Sequence, residues 1–429
     1  MHRHSTRHSL LIALIWLAVS GQVAAQNTAA SSPSSAPPSF SSAPVSSPAQ
    51  AALEQSRMKS ADLKPHAPRL MTTSIEQLPL KEIQLPAGFK LEVWAHGIPG
   101  ARMMARGERG TVFVGSRIIG RVYAVSDKGD RRESRILAEK LVQPNGIAIR
   151  DGNLYVAAIN KVLRYDNIET VLQGNPESLP QPLDMTDKFG LPPEQHHGWK
   201  FLAFGPDGKL YIPVGIPCNA CEINPAVHGN IRRYNADGSG MQIMARGVRN
   251  SVGFDFHPKT GELWFTDNGR DWQGEDGPQD ELNRLPSSMI GASFGNPYCH
   301  ADGKADLDIQ KPNACAGTIA PVTLMGAHAA ALGMRFYTGK MFPAEYQNSI
   351  FVARRGSWNK TEKNGYDVVN VRTSADGKQV KVLPFLSGLL DRKGNRFLGR
   401  PVDVLPMPDG ALLVSDEENG AIYRISYSK

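Results

Sequence analysis

Eight polar residues stand just ahead of six apolar runs, and their types could do chemistry together. Arg102 precedes Met103-Met104-Ala105, Asn145 precedes Gly146-Ile147-Ala148-Ile149, and His196-His197 precede Trp199-Lys200-Phe201. Arg249-Asn250 precede Val252-Gly253-Phe254-Asp255-Phe256, His328 precedes the run Ala331 to Phe336, and Arg400 precedes Val402-Asp403-Val404-Leu405. Guanidinium groups gathered in one desolvated place repel one another unless an anion joins them. Such a set therefore calls for a ligand carrying several carboxylates or phosphates. A histidine beside it would be a base near neutral pH. Taken singly, each Arg or His would serve equally well to cap a strand end or tie neighbouring elements. Their repetition at the equivalent place in every unit argues for a site.

A second cluster is acidic. Asp267-Asn268-Gly269-Arg270-Asp271 is followed by Glu275-Asp276 and by Asp280-Glu281-Leu282-Asn283. Carboxylates and amides this dense, with glycines for turning, suit Ca²⁺, which takes six to eight oxygen ligands. The spacing is not that of an EF-hand, and a solvated acidic loop with hairpin turns stays open on composition alone.

These residues need elements to position them. In the stretch from His196 to Gly215, an apolar strand meets the turn Gly205-Pro206-Asp207-Gly208 and a second apolar strand follows. Proline presets φ, Asp bonds its own backbone, and Gly accepts a positive φ. The unit recurs six times, its second strands being Gly110–Val114, Gly152–Val156, Gly208–Ile212, Gly261–Phe265, Asn348–Val352 and Gly410–Val414. Further strands follow most of them, such as Gly120–Val125, Lys161–Tyr165, Asn230–Tyr234 and, last, Ala421–Ile425. Short antiparallel strands repeating in this way predict an all-β fold, a six-bladed β-propeller of antiparallel four-stranded blades over residues 78–429. A pair of β-sandwiches would not predict six similar units. Uneven spacing, with a long excursion from about 270 to 327, fits blades carrying loop insertions. In a propeller the first strands line the axis, so the six polar entries gather at one mouth.

The rest of the chain limits the setting. Basic and His residues, the apolar run Leu10 to Val19 and Val23-Ala24-Ala25 form a secretory signal over 1–25, too short to span a bilayer. Residues 26–75 are rich in Ser, Pro and Ala and read as a disordered tether. The product would be periplasmic or secreted, with no integral membrane span after cleavage. A formal charge of +7, less by the leader's Arg3 and Arg7, is spread thinly; no basic block of nucleic-acid-binding length stands out. Four cysteines in an exported chain favour disulfides, and nearness in sequence pairs Cys218 with Cys221 and Cys299 with Cys315, one of three possible connectivities. Zinc or redox chemistry at Cys218-Asn219-Ala220-Cys221 would want a second CxxC, which is absent.

Over about 85–427 the chain resembles the PQQ-dependent soluble sugar dehydrogenases, most nearly their L-sorbosone dehydrogenase-like branch. The resemblance rests jointly on Gln143-Pro144-Asn145-Gly146, His196 to Gly215, Arg249-Asn250, Thr266 to Asp271, His328 to Gly339, and Gly399 to Val404. It implies a six-bladed propeller with pyrroloquinoline quinone (PQQ), a planar tricarboxylate, and Ca²⁺ at the axial mouth. It implies His196, four residues before Lys200, as catalytic base and Arg249 as its partner in catalysis. Cofactor contacts would come from Arg102, Asn145, Arg249, Asn250, His328 and Arg400, and from Arg354 or Arg355 in blade five. The family's calcium loop corresponds to Gly269 and Arg270, flanked by Asp267 and Asp271. A second C-terminal Arg of the family pattern is Val402 here, so that contact is missing. The implied substrate is a small sugar or sugar aldehyde. Without a CxxCH haem motif, the electron acceptor would be an external quinone, cytochrome or dye. A Ca²⁺-dependent lactone hydrolase and a non-catalytic binding propeller are the other readings of the same residues.

Overall fold

Six four-stranded antiparallel sheets follow one another along the chain and close into a six-bladed β-propeller. The computed structural model describes residues 63–67, 69–174, 180–374 and 378–428. The expected signal peptide and the tether up to residue 62 lie outside the described residues. Blade one runs from Met104–Arg106 to Arg132–Ala138, blade two from Gly146–Arg150 to Leu183–Asp184, and blade three from Ala203–Phe204 to Gln242–Arg246. Blade four runs from Phe254–Phe256 to Thr323–Ala327 and blade five from Ala331–Phe336 to Val380–Leu386.

Blade six closes the ring. It takes Pro401–Pro406, Leu412–Asp416 and Ala421–Tyr427 from the end of the chain and Phe89–His96 from the beginning, the last as its outer strand. Joining the two ends in one sheet ties the ring shut by the backbone hydrogen bonds between them. Ahead of that strand, Thr73 and His66 contact the last part of the chain. Thr73 Oγ1 donates to Asn419 Oδ1 at 2.7 Å, and the His66 ring stands edge-on to Phe397 at 4.8 Å.

The turn chemistry does what the sequence asks of it. At Gly205–Lys209 the Gly208 N–H donates to Gly205 O at 2.9 Å, the Lys209 N–H donates to Asp207 Oδ1 at 3.1 Å, and Gly208 has φ +75°. The inner strands then press together. A Cβ on Gly333 would meet Asp403 Oδ1 at 2.2 Å, so only glycine lets blades five and six approach. Buried carboxylates stitch blade to blade. Asp403 Oδ2 accepts the Met104 N–H at 2.9 Å, and Asp255 Oδ2 accepts the Phe336 N–H at 2.8 Å. Burial pushes Asp403 up to about 6.

Two readings change. Asp280-Glu281-Leu282-Asn283 are not loop. They belong to the third strand of blade four, Gln279–Leu285, and are buried. The excursion therefore has two parts, a loop over 268–278 and a longer one over 286–322. Blade three's inner strand is also shorter than its apolar run, only Ala203–Phe204. Lys200 lies in the unpaired lead, donating Nζ to Gly198 O at 2.6 Å. Cys218–Cys221 and Cys299–Cys315 are both disulfide-bonded.

Candidate functional site

At the mouth where the inner strands begin, a cavity of about 470 Å³ opens on the axis. Arg102, His196, Arg249, Asn250, His328 and Arg400 all line it, together with Gly269, Asp271 and Arg355. Five blades or their connections thus contribute, and Arg249 and Arg400 face the same space.

Arg102, Arg249 and Arg400 are buried, Arg117 and Arg355 partly so, and the five differ in how they are matched. Arg102, 1% exposed, has Nη1 2.9 Å from Glu417 Oε2, and its Nε donates to Asn145 Oδ1 at 2.6 Å. Arg355 Nε pairs with the same Glu417 oxygen. Burial alone would raise Glu417; the charges of Arg102 and Arg355 overcome this and hold it far below the usual carboxylate range. The expected uncompensated cluster is therefore partly compensated, by an acid in the run Asp416-Glu417-Glu418-Asn419 that sequence reading passed over. Arg117, also unforeseen, lies 3.8 Å over the Trp199 ring and donates Nε to Gln143 Oε1 at 3.1 Å. Burial and then Arg102 lower it to about 9.

Arg400 is the least satisfied. It is 2% exposed, its Nε has no hydrogen-bond partner, and Glu418 Oε2 is 4.0 Å away. Its guanidinium lies 4.2 Å over the Phe397 ring. Burial, then Arg355, lowers it to about 10. Asp416 Oδ1 fixes its backbone by accepting the Arg400 N–H at 2.8 Å. Asp267 does the same in blade four, taking the N–H groups of Arg249 and Asn250 at 2.8 and 2.6 Å. Each Asp ends a second strand and aims the residue that enters its own blade's first strand.

The histidines differ too. His196 opens on the cavity mouth, its ring 4.1 Å from that of His197. Burial, then Arg249, lowers its pKa, so the imidazole is neutral at pH 7 and free to accept a proton. His197 is buried behind it and donates Nδ1–H to Ile216 O at 3.0 Å. His328 lines the cavity with both nitrogens committed: Nε2–H donates to Gly274 O at 2.8 Å, and Nδ1 accepts from Asn359 Nδ2 at 3.2 Å. Trp358 and Asn359, on the wall beside it, carried no signal in the strand pattern.

Four expected site residues stand behind the wall. Asn145, fully buried, spends its amide on Arg102 and on Lys200 O at 2.7 Å, tying blades one, two and three. Arg354 ends the strand Ile350–Arg354 opposite Asp367 and pairs with it. Side chains alternate along a strand, so Arg355 turns the other way, to the cavity. Asp267 is held by backbone N–H groups, as above. Arg270 Nη1 grips Asp306 at 2.8 and 2.7 Å, and its Nη2 reaches Asp308 at 2.7 Å, fastening the 286–322 excursion.

The two expected cofactors fit differently. A flat polycarboxylate matches the cavity: five guanidinium groups face it, and the buried Arg400 Nε lacks an acceptor. Among the described residues no group of three or more His, Cys, Asp or Glu is disposed to hold a metal. The loop does present main-chain oxygens, but Arg249 Nη1 already donates to Asn268 O and Gly269 O at 3.2 and 2.8 Å. Asp271 Oδ1 accepts from Asn359 Nδ2 at 2.6 Å.

Residues 219–428 match the family model described as TrAA12-like. A Borreliella burgdorferi protein, described as uncharacterized, is 32% identical over 357 residues, which are 81% of this chain and 91% of that one. The calcium structure of Trichoderma reesei carbohydrate-active enzymes family AA12 has a TM-score of 0.65 at 19% identity, covering 81% of this chain and 97% of that one. The holo form of the pyranose dehydrogenase PQQ domain from Coprinopsis cinerea has a TM-score of 0.63 at 17% identity, covering 80% and 97%. At such identities the structural likeness shows the fold alone. The chain belongs to the family of the Borreliella burgdorferi protein, and from residue 219 onward it carries the TrAA12-like pattern.

Proposed function

We propose that this chain is an exported quinoprotein dehydrogenase that oxidises a sugar or sugar aldehyde, of aldose or sorbosone type, with PQQ as cofactor. The observation that carries the reading is Arg400, a buried guanidinium without an acceptor at Nε, facing a cavity that four other arginines share. The pyranose dehydrogenase PQQ domain and the AA12 enzymes named above have the same fold and support it. Arg102, Arg117, Arg355 and Arg400 would hold the cofactor's carboxylates, with Trp199, stacked under Arg117, as part of the wall. PQQ, when bound, supplies an acceptor for a hydride and later releases electrons to an external quinone, cytochrome or dye.

The chain's own residues do the rest. His196, neutral at pH 7, accepts at a ring nitrogen the hydroxyl proton of a sugar alcohol, a hemiacetal or a hydrated aldehyde, while the hydride leaves the carbon that bears this hydroxyl. Arg249 stabilises negative charge that grows beside it. Burial of the guanidinium floor excludes water and strengthens that stabilisation. The family resemblance brings Ca²⁺ with it, and the AA12 structure contains calcium. Asn268 O and Gly269 O each accept one bond from Arg249 and keep a second lone pair, so these loop oxygens would be among those that hold the ion. The test is titration of the purified apoprotein with PQQ, read by quinone absorbance, then dye reduction with aldoses, sorbosone and polyols. A saturable absorbance change followed by sugar-dependent dye reduction is expected; absence of saturable binding overturns the reading.

A further inference from the structure

The mechanism leaves one motif unused, the short loop closed by Cys218–Cys221. Asn219 lies inside that ring. Among the described residues, 217–223 make no backbone–backbone hydrogen bond, so local secondary structure does not hold the loop. Yet Asn219 makes four bonds to blade four. Its carbonyl oxygen accepts from Arg249 Nε at 3.0 Å, and its Oδ1 accepts from Arg249 Nη2 at 2.8 Å. Its Oδ1 also accepts the Asp271 N–H at 2.9 Å, and its Nδ2 donates to Asp271 O at 3.1 Å. With Nη1 on Asn268 O and Gly269 O, four of the five guanidinium N–H groups have acceptors. The fifth has Asp271 Oδ2 at 3.7 Å.

We infer that Asn219, held in its disulfide ring, is a positioning residue: it aims Arg249 into the cavity and fixes Asp271 beside it. The inference rests on the functional reading above for the role of Arg249. Two observations carry it. A single residue supplies both oxygens that grip one side of the guanidinium, and a covalent ring fixes a loop that backbone bonding leaves loose. A fixed guanidinium needs no reorganisation when charge develops beside it, whereas a swinging one does. The disulfide then has a purpose beyond general stability. It spans only three residues in sequence, too short a loop for cross-linking to remove much entropy from the unfolded chain.

The test is a double-mutant cycle in the full chain, with Asn219→Ala, Arg249→Met and both together. Asn219→Ala should lower kcat about tenfold and weaken PQQ binding, read by tryptophan fluorescence. The double variant should lie within about twofold of Arg249→Met alone, since Asn219 acts through Arg249. Asn219→Asp keeps Oδ1 as acceptor and should recover most of the loss. In a Cys299→Ser/Cys315→Ser background only Cys218–Cys221 can be reduced. Dithiothreitol supplies two electrons and two protons, cleaves that S–S bond to two thiols and itself closes to a disulfide. This should reproduce the Asn219→Ala loss, and reoxidation should restore it. A readout independent of PQQ is phenylglyoxal labelling of Arg249 in apoprotein, quantified by peptide mapping. Labelling should rise about tenfold in Asn219→Ala and after reduction. Unchanged labelling overturns the clamp, whatever the cofactor; so do losses that simply multiply in the double variant. Failure to bind PQQ with labelling as expected would instead sink the functional reading and keep the clamp.

Discussion

Arg400→Met should move apoprotein stability and cofactor affinity in opposite directions. Arg400 is 2% exposed and lowered from 12.5 to about 10, mainly by burial. A depression of that size makes the charged form about 3 kcal/mol less favourable than in water. The folded pKa lies below the unfolded one, so this penalty is present throughout the range below about 10, including neutral pH, and is relieved only as pH rises toward 12.5. Methionine removes the charge and fills the slot beside Phe397. It loses the stacking of guanidinium on ring, worth about 1 kcal/mol. The net expectation is about 2 kcal/mol of added apoprotein stability, or a melting temperature higher by on the order of 4 °C. Bound PQQ acts against this difference. Charged hydrogen bonds of Arg400 to a carboxylate are worth about 1.5–3 kcal/mol, so Arg400→Met should raise the PQQ Kd about 10- to 150-fold. At saturating PQQ the wild type gains about 1.5–3 kcal/mol more than the variant, so the apoprotein gap of about 2 kcal/mol should close. Differential scanning fluorimetry with and without PQQ, with fluorescence titration for Kd, reads both effects. An apoprotein variant that melts lower, or one that binds PQQ as tightly as the wild type, would refute the reasoning.

Three further expectations follow from the same cavity. His196→Ala should lower kcat by about 10²–10⁴-fold in steady-state dye reduction while PQQ affinity stays within about threefold. Because His196 titrates below 6.5 and must be unprotonated, the acid limb of kcat/KM should lie below pH 6.5; a limb above it removes His196 from the role. Glu417→Gln leaves Arg102 and Arg355 facing each other without their shared anion and should destabilise by about 3–5 kcal/mol, read from the urea midpoint. Glu417 titrates below its ordinary 4.5, so its contribution is present above that pH and fades as the solution is acidified further; the gap between wild type and variant should shrink below about pH 4.5. Arg355→Ala should weaken PQQ binding about tenfold. Arg354→Ala should leave PQQ affinity alone but lower stability by about 3 kcal/mol, because Asp367 loses its partner.

The fold was legible because its signals are local. Each blade carries a turn such as Gly205–Gly208 and an alternating strand after it, and these depend on neighbours in sequence. The seam was not, since pairing Phe89–His96 with Ala421–Tyr427 depends on two segments more than 300 residues apart. Much of the cavity could be read for a similar reason: every blade presents the residue entering its first strand at one end. That rule places a Cα and says nothing of what the side chain will meet. Asn145 obeys it in position, yet its short amide is captured by Arg102 and Lys200 O before it reaches the cavity.

The acids follow the opposite logic. Asp267 and Asp416 occupy the same place, the last residue of a second strand, and each accepts the backbone N–H of an arginine that enters the first strand of its own blade. Asp267, part of a carboxylate density that suggests an ion-binding loop, is here a device for aiming a cation, and Asp416 repeats it. Burial raises Asp267 to about 6, which shows how far from water this device works. Glu417 extends it by one residue, from backbone to side chain, joining Arg102 of blade one to Arg355 of blade five through an anion from blade six. One carboxylate cannot match two guanidinium groups, so Arg102 and Arg355 keep a net positive charge around Glu417, and Arg400 has only Glu418 at 4.0 Å. An incoming carboxylate gains at both places, and most at Arg400, whose match is the longer.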